Sequence, residues 1–170
     1  MWNFDGRGRP PFAVTPGEDE ESVWDYPRPP RCAPDTRHVE VRAPGGVLAS
    51  SVQAIRVLET ASPPTFYLPP ADVDTRQLVA ARGQSYCEWK GAACYWRLAS
   101  DPEGESVAWS YPAPHPAFAA LAGHFGFYPG RLAYFVNDER VAPQPGGFYG
   151  GWVTREIVGP WKGEPGSGHW

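Results

Sequence analysis

Ser85-Tyr86-Cys87-Glu88-Trp89-Lys90-Gly91-Ala92-Ala93-Cys94-Tyr95-Trp96 is the stretch whose reading decides the fold. It places a thiol, a carboxylate, an amine and several large aromatics in one short β-hairpin, with arms expected over 84–90 and 93–99. A strand pair that only packs alternates β-branched with neutral polar residues. Here both faces carry groups that are costly to bury, so at least one face is expected to line a pocket.

Further hairpins flank it. His38-Val39-Glu40-Val41-Arg42 alternates with period two, turns at Pro44-Gly45-Gly46 and returns through Val47–Ser50. Ala54–Thr60 reads as a third strand, in which Arg56 and Glu59 fall on opposite faces unless a bulge intervenes. Pro63-Pro64 is expected to break the chain before a short strand Thr65–Leu68. Asp72 is a candidate cap for a short helix over 73–81. Val107–Tyr111 reads as a strand, and Pro116 opens a helix of about two turns. Tyr134-Phe135-Val136, a turn near Asn137-Asp138 and Arg140-Val141 form a last hairpin.

The chain of 170 residues contains 19 Gly and 21 Pro, about twice the usual share, interleaved with 8 Trp, 8 Tyr and 8 Phe. Turn formers between short aromatic strands predict a mainly β domain of antiparallel hairpins, tent-like or barrel-like, with one or two short helices. Residues 1–21 are expected to be a flexible tail. Residues 22–142 form the β domain with its N-terminal arm, and 143–170 a Gly/Pro/aromatic strap packed on it.

A formal net charge of −4 argues against general binding to nucleic acid or to a membrane surface, which needs a positive field. No apolar run approaches the roughly 18 residues of a transmembrane helix, and no secretory signal is read in the first 20 residues. Cys32, Cys87 and Cys94 are odd in number and lack C-x-x-C spacing, so neither a disulfide scaffold nor a four-cysteine zinc site is expected. Free thiols suggest a cytoplasmic location. No metal and no cofactor is expected.

Several motifs together resemble one family. They are Arg56-Val57-Leu58-Glu59, Pro63-Pro64-Thr65-Phe66-Tyr67-Leu68-Pro69, Cys87-Glu88-Trp89-Lys90-Gly91 with Tyr95-Trp96, Ala108-Trp109-Ser110-Tyr111 and Phe127-Tyr128-Pro129-Gly130-Arg131. The chain resembles the family catalogued as domain of unknown function 427 over about residues 22–170, in a branch with N- and C-terminal extensions. The resemblance implies a mainly β architecture similar to the tent-like sheets of Mss4-type proteins. Many of those relatives hold zinc on paired C-x-x-C knuckles, which this chain lacks. A nucleotidyltransferase label attached to the family finds no Gly-Ser turn followed by paired aspartates here.

The candidate ligand-binding residues are Arg56, Glu59, Tyr67, Cys87, Glu88, Trp89, Lys90, Trp96 and Trp109. Lys90 could lower the Cys87 thiol pKa and make a nucleophile; packing as a small buried hydrophobe is the alternative. Glu59 and Glu88 could act as an acid/base pair or join Arg56 and Lys90 in an ion-pair network. Trp89, Trp96 and Trp109 could form an aromatic cage or fill a core. The leading expectation is a pocket for a small polar or anionic ligand. The alternatives are a hydrolase or transferase acting on a nucleotide or phosphodiester, with Glu59, Glu88 or Cys87 catalytic, and a noncatalytic module that docks a protein partner through its extensions.

Overall fold

The computed structural model describes residues 3–170. In chain order the strands are β1 (Glu21–Ser22), β2 (Arg31–Asp35), β3 (Val39–Ala43), β4 (Gly46–Ser51), β5 (Ala54–Glu59), β6 (Ser62–Leu68), β7 (Leu78–Cys87), β8 (Gly91–Leu98), β9 (Ala108–Ser110), β10 (Phe125–Phe127), β11 (Ala133–Val136), β12 (Glu139–Arg140), β13 (Ala142–Pro143), β14 (Trp152–Val153) and β15 (Ile157–Val158). Helical structure among these residues is confined to short 3-10 segments, the longest being Pro116–Leu121. The fold is mainly β, as the hairpin pattern implies.

Seven strands form one antiparallel sheet in the order β2-β5-β6-β10-β9-β8-β7; four form a second, β12-β11-β3-β4. The large sheet does not close into a barrel, since β2 and β7 remain its edges. One face of it, with Phe66, Leu68, Ala108, Phe125 and Phe127, packs with Val39, Val41, Leu48, Tyr134 and Val136 of the smaller sheet in the principal core. Period-two alternation sends Ile55, Val57, Tyr67, Ala93, Tyr95 and Trp109 to the opposite, outer face. Phe118 and Leu121 of the Pro116–Leu121 segment pack onto that outer face.

Two local expectations are corrected. Strand β6 runs through Pro63-Pro64 rather than starting after them. The two prolines sit where the β5–β6 register shifts between Val57 and Glu59, a bulge at which their missing N–H groups cost the ladder nothing. No helix forms over 73–81. Asp74 accepts a hydrogen bond from the Arg76 N–H and caps only the 3-10 turn Thr75–Gln77, after which β7 begins at Leu78. β7 is therefore longer than the predicted hairpin arm, and its register against β8 slips between Ala80 and Gln84.

The flanks lie against the domain. Of the segment read as a tail over 1–21, the first two residues lie outside those described. Phe4 and Phe12 meet the Trp24 ring at 5.1 and 5.2 Å, and Trp170 stacks on Phe12 at 5.2 Å. Strand β1 pairs in parallel with β15, joining the two ends of the chain. Trp152 of the strap is fully buried in the principal core, stacked on Phe66 at 4.8 Å, and its indole N–H donates to the Phe127 carbonyl.

Candidate functional site

The outer face of the large sheet collects most of the chemistry. Register places Tyr67 opposite Gly126, Gly126 opposite Trp109, and Trp109 opposite Tyr95, so these side chains project from one row. A Cβ at position 126 would come within 2.6 Å of the Trp109 indole, so glycine there lets the ring lie flat across the strand. Trp109 Nε1 donates to the Tyr67 hydroxyl at 3.1 Å. Tyr111, two residues beyond Trp109, lies against Tyr67 with ring centres 6.3 Å apart, and Cys87 packs in the same cluster. Burial pushes the Tyr67 and Tyr111 pKa values well above the ordinary phenol range, which keeps both hydroxyls protonated.

Lys90 enters this face from the β7–β8 turn. Its ammonium sits 5.9 Å from the centre of the Tyr111 ring and 5.8 Å from that of Phe118. Among the described residues it has no carboxylate within ion-pair distance. Cys32, Cys87 and Trp89, all partly buried, pack in the same cluster. Burial raises the Cys32 pKa, and the positive charge of Lys90 offsets part of that rise.

Of the nine candidate residues, Tyr67, Cys87, Trp89, Lys90 and Trp109 thus meet on one face. Arg56 and Trp96 do not. Arg56 pairs across the sheet with Phe66 on the opposite face, and its guanidinium binds Glu21 at 3.0 Å and Asp35 at 3.2 Å. Trp96 packs against the principal core and donates its indole N–H to Ser110 at 3.0 Å. The three indoles therefore do not ring one cavity. Trp96 instead borders a cavity of about 710 Å³ at the β7 register slip, with Ala80, Ala81, Gly83, Gln84 and Cys94.

The two acids occupy a third position. Glu59 lies 3.5 Å from Arg28, and both Glu59 and the exposed Glu88 act on the charge of Lys162 from the strap. Neither carboxylate pairs with Arg56 or Lys90. Sequence reasoning missed Tyr111, Cys32 and Lys162. The first had a signal, because its i+2 spacing from Trp109 within the expected strand Val107–Tyr111 puts both on the same face. The others are supplied by an edge strand and the strap, where no local pattern points inward.

The family profile described as Domain of unknown function (DUF427) matches residues 31–138. The chain belongs to this family. No curated protein matches it. Every residue of the Lys90 face, from Cys32 to Phe118, falls inside the DUF427 segment. Arg28, Trp152 and Lys162 come from the flanks, so the cations beside Glu59 and Glu88 and part of the core are supplied from outside the DUF427 segment. Among the described residues no group of three or more His, Cys, Asp or Glu is placed to hold a metal ion. No helix among them is long and apolar enough to cross a membrane.

Proposed function

We propose that the protein binds a small anionic ligand with a flat part on the outer face of the seven-stranded sheet. The observation that carries this reading is the Lys90 ammonium, partly buried, flanked by the Tyr111 and Phe118 rings and without a carboxylate partner among the described residues. A cation withdrawn from water is stabilised by an opposite charge, and the rings supply only part of that. The protonated phenol of Tyr111 beside Lys90 is a donor for an anion, and Trp89 offers a surface on which a ring can stack. The Cys87 thiol beside Tyr111 adds a polarisable contact. The three free thiols fit a protein that works in a reducing compartment such as the cytoplasm.

The test is titration calorimetry of the full chain against inorganic phosphate, nucleoside monophosphates and aromatic carboxylates. Saturable binding that Lys90→Met abolishes, with stability changed by less than about 1 kcal/mol, supports the reading. Equal binding by Lys90→Met, or no binding by the wild-type chain, overturns it.

A further inference from the structure

We infer that a second cavity, between the Pro129–Arg131 turn and the C-terminal strap, is a binding site for a small planar carboxylate. This cavity has a volume of about 260 Å³ and is lined by Tyr128, Arg131, Gln144, Gly147, Tyr149 and Glu105, among others. That is slightly below the roughly 300 Å³ at which drug-sized sites begin, and it suits a single substituted ring.

The cation is prepared for a flat partner. The Arg131 guanidinium lies 4.2 Å from the centre of the Tyr128 ring and donates to the Ser106 carbonyl. Stacking fixes the plane of the fork before any ligand arrives, so less side-chain freedom is lost on binding. Its only acid partner among the described residues, Glu105, lies 3.5 Å away with a side chain 81% exposed, a contact that a ligand carboxylate can replace. Tyr149 supplies a second ring at the cavity wall. Among the described residues the amide N–H groups of Gly130 and Gly147 make no hydrogen bond within the protein.

The floor is rigid. Gln144, buried, accepts from the Gly151 N–H at 3.2 Å and donates to the Lys162 carbonyl at 2.6 Å, tying two stretches of the strap together. The charge balance selects the anion. With the exposed Glu105 displaced, Arg131 matches a single negative charge and leaves a phosphate dianion in excess. A planar carboxylate also accepts two parallel N–H bonds from the fork.

The site is separate from the Lys90 face, and the experiment keeps the two apart. Amide chemical shifts of the full chain are followed while benzoate, cyclohexanecarboxylate or inorganic phosphate is added to wild type, Arg131→Gln and Lys90→Met. The expected result is saturable shifts at Gly130, Gly147 and Tyr149 with benzoate, weaker shifts with cyclohexanecarboxylate, an affinity loss of at least about tenfold in Arg131→Gln, and no loss in Lys90→Met. Should Arg131→Gln fail to fold, Arg131→Lys keeps the charge without the fork and is expected to weaken benzoate by a similar factor. Unchanged affinity in the Arg131 variants, phosphate binding more tightly than benzoate, or no saturable shift in wild type overturns the proposal.

Discussion

Gly126 passes directly beneath the indole of Trp109, close enough that a methyl group at position 126 would lie 2.6 Å from the ring. The missing side chain is what lets Trp109 reach the Tyr67 hydroxyl, and Tyr67 in turn is held against Tyr111. The geometry of the Lys90 face therefore depends on an atom that is absent.

Gly126→Ala is expected to tilt Trp109 and to cost about 1–3 kcal/mol, the usual range for overpacking. Chemical denaturation with tryptophan fluorescence as the probe measures both effects at once. Full stability with unaltered emission would mean that the ring has room to move.

Tyr67→Phe leaves the Trp109 indole N–H without its acceptor in an interior where Tyr67 itself is 1% exposed. An unpaired buried donor costs about 1–3 kcal/mol. Trp109→Phe in the same background removes the stranded donor. The double variant should lose less than the sum of the two single losses, and strict additivity would contradict the coupling.

Trp152→Ala removes a fully buried ring from between Phe66 and Tyr134, whose centres lie 4.8 and 4.9 Å away. A loss of about 3–5 kcal/mol is expected. Deletion of 143–170 should therefore give a chain that does not fold cooperatively, as read by calorimetry. A sharp, undiminished transition would show instead that the DUF427 segment is self-sufficient.

Acid should loosen the seam between the chain ends. Arg37 binds Asp35 at 2.6 Å and Glu156 at 2.5 Å. Burial alone would raise both carboxyl pKa values, but the Arg37 hydrogen bonds and charge outweigh it and hold both below the ordinary carboxylate range. Their folded values are depressed relative to the unfolded chain. The stabilisation is thus fully present above the ordinary carboxylate pKa of about 4 and is lost as pH falls through the folded values. Arg37→Met should lower stability at pH 7 and flatten the fall toward pH 3, both measured by urea denaturation. A parallel fall in both proteins would rule out this linkage.

Much of this architecture is legible in the residues. Val39-Glu40-Val41 alternates cleanly, and its hairpin with the returning Val47–Ser50 forms as expected, with one register shift between Val41 and Arg42. The Cys87–Gly91 turn closes the expected hairpin. Phe125-Gly126-Phe127 is too short for any period to register, yet it is the strand that joins the two halves of the large sheet. Pro63-Pro64 reads locally as a stop, and only the facing bulge in the partner strand shows why the chain continues. For the site, facing was the missing information. Tyr95, not Trp96, pairs with Trp109, so one position of register separates a shared face from opposite faces. Arg56 reads as a ligand residue because charged residues near aromatics suggest a pocket. Its acidic partners Glu21 and Asp35 come from segments 35 and 21 positions upstream, beyond the reach of any local pattern.

The slip in β7 has a consequence for behaviour at high concentration. An outermost strand of ten residues with one open side would, if straight, offer a continuous row of unsatisfied amides to a neighbouring molecule. The irregularity between Ala80 and Gln84, with Arg82 and Gly83 inside it, twists that row out of line and sets a charge in its path. Shortening the segment by one residue to restore regular pairing should produce a protein that sticks to itself, because this apparent defect in the ladder works against edge-to-edge pairing.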